Sequence, residues 1–225
     1  IVSSLDADLG VLVDGESEKI SLVDSTGEPI ISERLLALMI TMVSKDIKKP
    51  VVAAQIRSPL MIEKIVRENK GEIVYTQCSS RDLMAKTFKQ KIDFGGDTKG
   101  GFIFPGFQPS FDAMISLSKI LEALATHNTS LKDLNRKIPR VFIEAATAPC
   151  SWDAKGKLMR VLVDRFGDKK IDLTDGIRIE LGRASWVLVR PDPTEPMVHI
   201  IAEGATQSEA AKLVKEHARL VAGVD

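Results

Sequence analysis

Apolar residues follow two rhythms along this chain. Short apolar blocks bounded by Gly, Pro, Asp or Ser alternate with longer stretches in which apolar residues recur at every third or fourth position. The first rhythm predicts strands, and the second predicts helices packed on one face. Gly10–Asp14 and Lys19–Asp24 read as two strands around a polar loop, with Ser25–Glu28 as the next turn. Ser32 is placed to cap a helix whose Leu36, Met39, Ile40 and Val43 face inward. Pro50–Ile56 reads as a buried strand. Ser58 and Pro59 then open a helix with Ile62, Ile65 and Val66 on one face, closed by Gly71. Glu72–Thr76 is a further strand, followed by a helix from about Arg81. Ser110 is expected to cap a long helix whose inward stripe is Met114, Leu117, Leu121 and Leu124.

This alternation predicts an α/β/α sandwich with a mixed or parallel sheet over residues 35–127. Residues 128–137 are polar and read as a connector with a helical turn. Beyond Pro139 the order changes. Strands at Val141–Glu144, Ile177–Leu181, Trp186–Arg190 and Val198–Ala202 mix with a helix over Asp153–Phe166. Thr206–Glu209 is a capping box before Leu213, Val214, His217 and Val221. Residues 128–225 therefore read as a smaller α+β domain, and residues 1–34 as a hairpin before the first one.

Composition narrows the classes. Lys+Arg and Asp+Glu are both 31 in 225 residues, and no basic run is present, so nothing favours nucleic acid. The longest apolar run, Leu35–Val43, is too short to span a bilayer. Cys78 and Cys150 stand far apart in no metal spacing, which reads as free thiols in a reducing cytoplasm. The chain starts at Ile1 rather than Met, so it is expected to be a piece of a longer polypeptide.

Three loops carry candidate chemistry. Asp14, Glu16 and Glu18 place carboxylates at every second position, either as a metal site or as a solvated hairpin tip. Phe94-Gly-Gly-Asp97-Thr-Lys99-Gly100-Gly101-Phe-Ile-Phe104 is a glycine-rich loop, either a ligand cradle or a strand connection needing positive φ. Arg190-Pro-Asp-Pro-Thr-Glu-Pro196 joins two apolar blocks, and Arg190 with Thr194 would suit a phosphate. Asp192 would repel that phosphate, and Pro193 has no N–H to give it. His127, His199 and His217 show no partnering pattern, and Trp152 and Trp186 read as core or interdomain anchors.

In this order and strand context, the three loops resemble the later part of the α-D-phosphohexomutases, which implies that residues 1–34 are a remnant of that family's second domain, 35–127 its third and 128–225 its fourth. That family has a magnesium loop of the form Asp-Gly-Asp-Gly-Asp-Arg. Its sugar loop reads Gly-Glu-x-Ser-Gly-His, and its phosphate loop Arg-x-Ser-Gly-Thr-x-Pro. The resemblance implies Asp97 and Lys99 as sugar-binding residues and Arg190 and Thr194 as phosphate-binding residues. It implies Asp14, Glu16 and Glu18 as ligands of Mg2+ held weakly or not at all, because two Glu replace Asp. The family's phosphoserine motif has no counterpart here, so no catalytic residue is assigned to this chain. Gly101–Pro109, Pro149–Gly156 and Pro191-Asp-Pro193 are similar to the mutase-like region fused to mannose-1-phosphate guanylyltransferases. That similarity implies a degenerate, non-catalytic sugar-phosphate-binding or assembly module of such a fusion. The alternative is the C-terminal part of a working phosphomannomutase/phosphoglucomutase. Implied partners are a hexose phosphate, bound weakly or no longer bound, and N-terminal domains of the same polypeptide, with a homo-oligomer left open and no nucleic acid or membrane.

Overall fold

A computed structural model describes residues 1–182 and 184–223. The chain divides into two compact units, Ile1–Arg140 and Val141–Asp225.

The first unit opens with an antiparallel sheet of β1 (Leu9–Val13), β2 (Ile20–Asp24) and β3 (Pro29–Ile30). Ile20 and Leu22 turn inward and are fully buried, as strand alternation requires. Then come α1 (Ser32–Asp46), β4 (Val51–Gln55), α2 (Leu60–Glu68), β5 (Glu72–Thr76) and α3 (Ser80–Lys89). β6 (Phe94–Gly96), β7 (Phe102–Ile103), α4 (Ala113–Thr126) and α5 (Leu131–Lys137) complete the unit. The second sheet has the order β5-β4-β6-β7. β4 pairs in parallel with both β5 and β6, and β7 returns antiparallel, so the sheet is mixed. β4 is central and almost wholly buried, which explains its unbroken small-apolar sequence.

Several local expectations change. Ser32 is the first helical residue of α1 rather than its cap, which is Ile31. Pro59, not Ser58, is the N-cap of α2. α4 is capped by Asp112 rather than Ser110, with Asp112 Oδ1 accepting the N–H groups of Met114 and Ile115 at 2.9 Å each. Its buried face is Ala113, Ser116, Ile120 and Ala123, while Met114 and Leu121 are exposed. Small side chains let α4 approach α1, β2 and β7 closely, so the larger apolar residues point away. The polar connector holds α5, anchored to α1 by Arg34, whose Nη2 donates to the Asn135 carbonyl at 2.7 Å. Residues 128–140 consequently group with the first unit.

The second unit contains β8 (Phe142–Pro149), α6 (Trp152–Phe166), β9 (Ile171–Asp172), β10 (Ile177–Glu180), β11 (Trp186–Pro191), β12 (Met197–Gly204) and α7 (Gln207–Ala222). Its antiparallel sheet has the order β8-β12-β11-β10-β9. Leu158 and Leu162 of α6 and Val214 of α7 share a core with Ile177, Val187, Val189 and Ile200. Thr206 caps α7 through the Glu209 N–H, and Glu209 Oε2 reaches back to the Ala205 N–H at 2.9 Å. Trp186 is a core residue, whereas Trp152 is largely exposed. Among the described residues no helix is long and apolar enough to cross a membrane.

Candidate functional site

In an open α/β sheet, ligands settle at the carboxyl ends of parallel strands where successive connections leave in opposite directions. In the first unit that point lies between β4 and β6. β4 continues through α2 to β5 on one side, and β6 turns back into β7 on the other. β4 delivers Gln55 and Arg57, and β6 delivers Asp97, Thr98 and Lys99. Arg57 joins the two sets: Nε donates to Gln55 Oε1 at 3.0 Å and Nη2 to Thr98 Oγ1 at 3.1 Å. Sequence reasoning missed Arg57. Its signal is a cation immediately after a buried strand and before a Ser-Pro helix start.

Asp97 is 1% exposed and serves its own loop. Its Oδ1 accepts the N–H groups of Lys99 at 2.8 Å and Gly101 at 2.9 Å. The expected sugar-binding carboxylate therefore builds the turn from inside, while the Lys99 side chain faces solvent. Gly100 has φ +86°, and a Cβ there would lie 2.1 Å from the Ile20 carbonyl oxygen. The two strands meet at this point, because the Ile20 N–H donates to the Gly100 carbonyl at 3.0 Å. Lys19 pairs with Gly101, so the Asp14–Glu18 hairpin tip and the glycine-rich loop are neighbours.

Asp14 closes that hairpin. Its Oδ1 accepts the N–H groups of Glu18 at 2.8 Å and Lys19 at 3.0 Å. The Lys19 N–H is the main cause holding the Asp14 carboxyl below its ordinary pKa. Glu16 is exposed. Among the described residues no group of three or more His, Cys, Asp or Glu side chains is placed to hold a metal. Asp14, Glu16 and Glu18 thus do not form a ready-made magnesium site.

The loop between β11 and β12 is organised by Asp192. Its Oδ1 accepts from the Thr194 N–H at 2.8 Å, the Thr194 hydroxyl at 3.0 Å and the Glu195 N–H at 2.8 Å. Its Oδ2 lies 2.6 Å from His199 Nε2, a partner the sequence reading did not assign. The His199 contact, followed by these donors, pulls the Asp192 carboxyl far below the usual carboxylate range. Asp192 is thus an internal anion seated among donors of its own loop and strand. From beneath, Lys155 Nζ donates to the carbonyls of Asp192 and Glu195 at 2.6 Å each, under the Trp152 ring at 3.5 Å. Arg190 Nε is 3.7 Å from Asp175 Oδ2, an ion pair longer than a hydrogen bond. Gly176 makes this approach possible: its φ is +79°, and a Cβ would fall 2.3 Å from the Val189 carbonyl oxygen. Thr194 is exposed at the loop tip.

Residues 32–142 match the family model "Phosphoglucomutase/phosphomannomutase, alpha/beta/alpha domain III". Over that stretch the chain is similar to the α-D-phosphohexomutase superfamily. A probable phosphoglucosamine mutase of Methanopyrus kandleri is 29% identical over 222 residues, covering 98% of this chain and 49% of that protein. A phosphoglucomutase/phosphomannomutase family protein of Burkholderia thailandensis matches with a TM-score of 0.80 at 20% identity, over 99% of this chain and 48% of that one. The N-acetylphosphoglucosamine mutase of Aspergillus fumigatus, solved with GlcNAc-6P and magnesium, matches with a TM-score of 0.64 at 17% identity, covering 96% and 49%. The chain spans about half the length of the relatives it matches.

These findings overturn the reading of a degenerate module fused to a guanylyltransferase. The phosphohexomutase relatives match nearly the whole chain and are themselves mutases, so the guanylyltransferase expectation rested on loop segments that do not separate the two. Members of the superfamily typically use Mg2+.

Proposed function

We propose that this chain supplies the substrate-holding half of a working phosphohexomutase, with hexosamine phosphates as the preferred substrates. The observation that carries this reading is the 29% identity to a probable phosphoglucosamine mutase across 98% of the chain. The reaction moves a phosphoryl group between two oxygens of one sugar, so much of the catalysis is positioning and charge stabilisation. On this reading Arg57, Thr98 and Lys99 face the sugar at the carboxyl edge of the first unit's sheet, with Asp97 fixing their loop. Arg190, ion-paired with Asp175 at 3.7 Å, offers guanidinium donors to the phosphate that is not transferred, and Thr194 lies in the loop that follows. Magnesium, when bound in such an enzyme, neutralises phosphoryl oxygens. Among the described residues Asp14, Glu16 and Glu18 are not gathered to hold it.

The test is a coupled assay of glucosamine-6-phosphate and glucosamine-1-phosphate interconversion by the protein that carries this chain. Arg190→Gln is expected to lower kcat/KM by about ten- to a hundredfold, the worth of a charged hydrogen bond. No turnover on any hexose or hexosamine phosphate would overturn the reading, as would an Arg190→Gln variant with unchanged kcat/KM.

A further inference from the structure

A cavity of about 260 Å³ lies in the first unit between the last turns of α1 and α4. Asp93, just before β6, and Phe104, just after the antiparallel β7, place it at the amino edge of the parallel strands. The Arg57–Thr98 crevice is at the opposite, carboxyl edge. The floor is apolar: Met39, Met42 and Ala123 are buried and line it with Phe104. The rim carries Asp46, Asp93 and Glu122 against one cation, Lys119.

We propose that this cavity binds a small amphipathic organic cation, an alkyl- or arylammonium ion. The volume falls just below the range of about 300–1,000 Å³ usual for drug-sized ligands, so the occupant is fragment-sized. Its charge follows from the rim. Lys119 Nζ already lies 2.7 Å from Glu122 Oε2. His127 Nε2 lies 2.7 Å from Asp46 Oδ1, and Asp93 Oδ2 accepts the Val51 N–H at 2.8 Å. Carboxylates remain in excess. The ends of α1 and α4 add the partial negative charge of two helix C-termini. Lys45, Lys48 and Lys49 are exposed near the end of α1 but do not line the cavity. An anion would be repelled here, and a neutral apolar molecule would gain only the floor. An ammonium group with a short hydrocarbon tail satisfies both, and the Met39 and Met42 thioethers adapt to varied tail shapes. This inference does not depend on the mutase reading.

The experiment titrates the whole chain with hexylammonium near pH 7, and in parallel with hexanol and hexanoate, by 1H–15N correlation NMR. Saturable shifts are expected at Met42, Ile47, Phe104 and Ala123 with hexylammonium, several-fold weaker binding of hexanol, and none of hexanoate. Asp46→Asn combined with Glu122→Gln, both exposed at the rim, should weaken hexylammonium about three- to tenfold. Ala123→Met should fill the floor and abolish binding; should that variant fail to fold, the rim pair still decides. Hexanol binding as tightly as hexylammonium would overturn the proposal. So would an unchanged affinity in the rim pair, or no shift at these residues.

Discussion

His217 is buried on α7, stacked on the Phe166 ring with centroids 5.6 Å apart. Its Nδ1–H donates to the Leu213 carbonyl at 2.9 Å, and its buried Nε2 has no hydrogen-bond partner among the described residues. Burial is the main cause that lowers its pKa below the ordinary histidine value of 6.5. The unfolded chain therefore binds this proton more readily than the folded one. The stability due to neutral His217 is fully present above about pH 6.5 and is lost as pH falls toward the folded pKa. Asp192 behaves differently. Its folded pKa is depressed, so its contribution holds above the ordinary carboxylate range and is lost only in stronger acid. Cooling of the melting transition between pH 7.5 and 5.5 should then trace to His217. His217→Leu is expected to flatten that dependence, and Asp192→Ala to leave it in place, as read by thermal melts at both pH values. An equally steep slope in His217→Leu would refute the assignment. Neither partner was legible beforehand, because His199 and Asp192 meet across a hairpin whose register only the fold sets. The turn-forming role of Asp97 was hidden for a related reason. A carboxylate in a glycine-rich loop reads the same whether it faces a ligand or its own amides.

At the scale of elements, periodicity located most of the helices and strands, and polar caps and short strands were its weak points. α4 is the clearest case. Ser110 and Asp112 are both good caps, and only the chain path after Phe111 selects Asp112. The stripe of Met114, Leu117, Leu121 and Leu124 has the helical period yet largely avoids the core, because the packed face is built of Ala113, Ser116, Ile120 and Ala123. Hydrophobic size therefore pointed to the wrong side. β6 and β7 were read as one loop, since Gly95-Gly96 lacks side chains to show alternation. Asp112 also receives the Gln108 side-chain amide at 2.8 Å, so it ties the cap to the preceding turn. Asp112→Ala should cost about 0.5–2 kcal/mol by urea denaturation. Ser110→Ala should cost only a few tenths. The reverse ranking would restore Ser110 as the cap.

For the whole molecule, the division at Arg140 makes an energetic claim. The second unit has its own core, in which Leu158 is fully buried among Ile177, Val187, Val189 and Ile200. The first unit has a separate one, with Ala53, Leu83, Ile103 and Phe111 packed together. A chain with two cores can lose one without losing the other, because most burial that stabilises each is internal to it. Leu158→Ala removes a large side chain from a site closed on all sides, which should destabilise the second unit by about 2–5 kcal/mol. Hydrogen exchange can read this element by element. Amides of β10, β11 and β12 should exchange faster in the variant, and those of β4, β5 and β6 should keep their wild-type rates. The superfamily match cannot make this distinction, since one polypeptide can carry two cooperative units or one. If the Leu158→Ala change instead accelerates exchange equally in β4 and in β11, the cores unfold together and the division at Arg140 is only geometric.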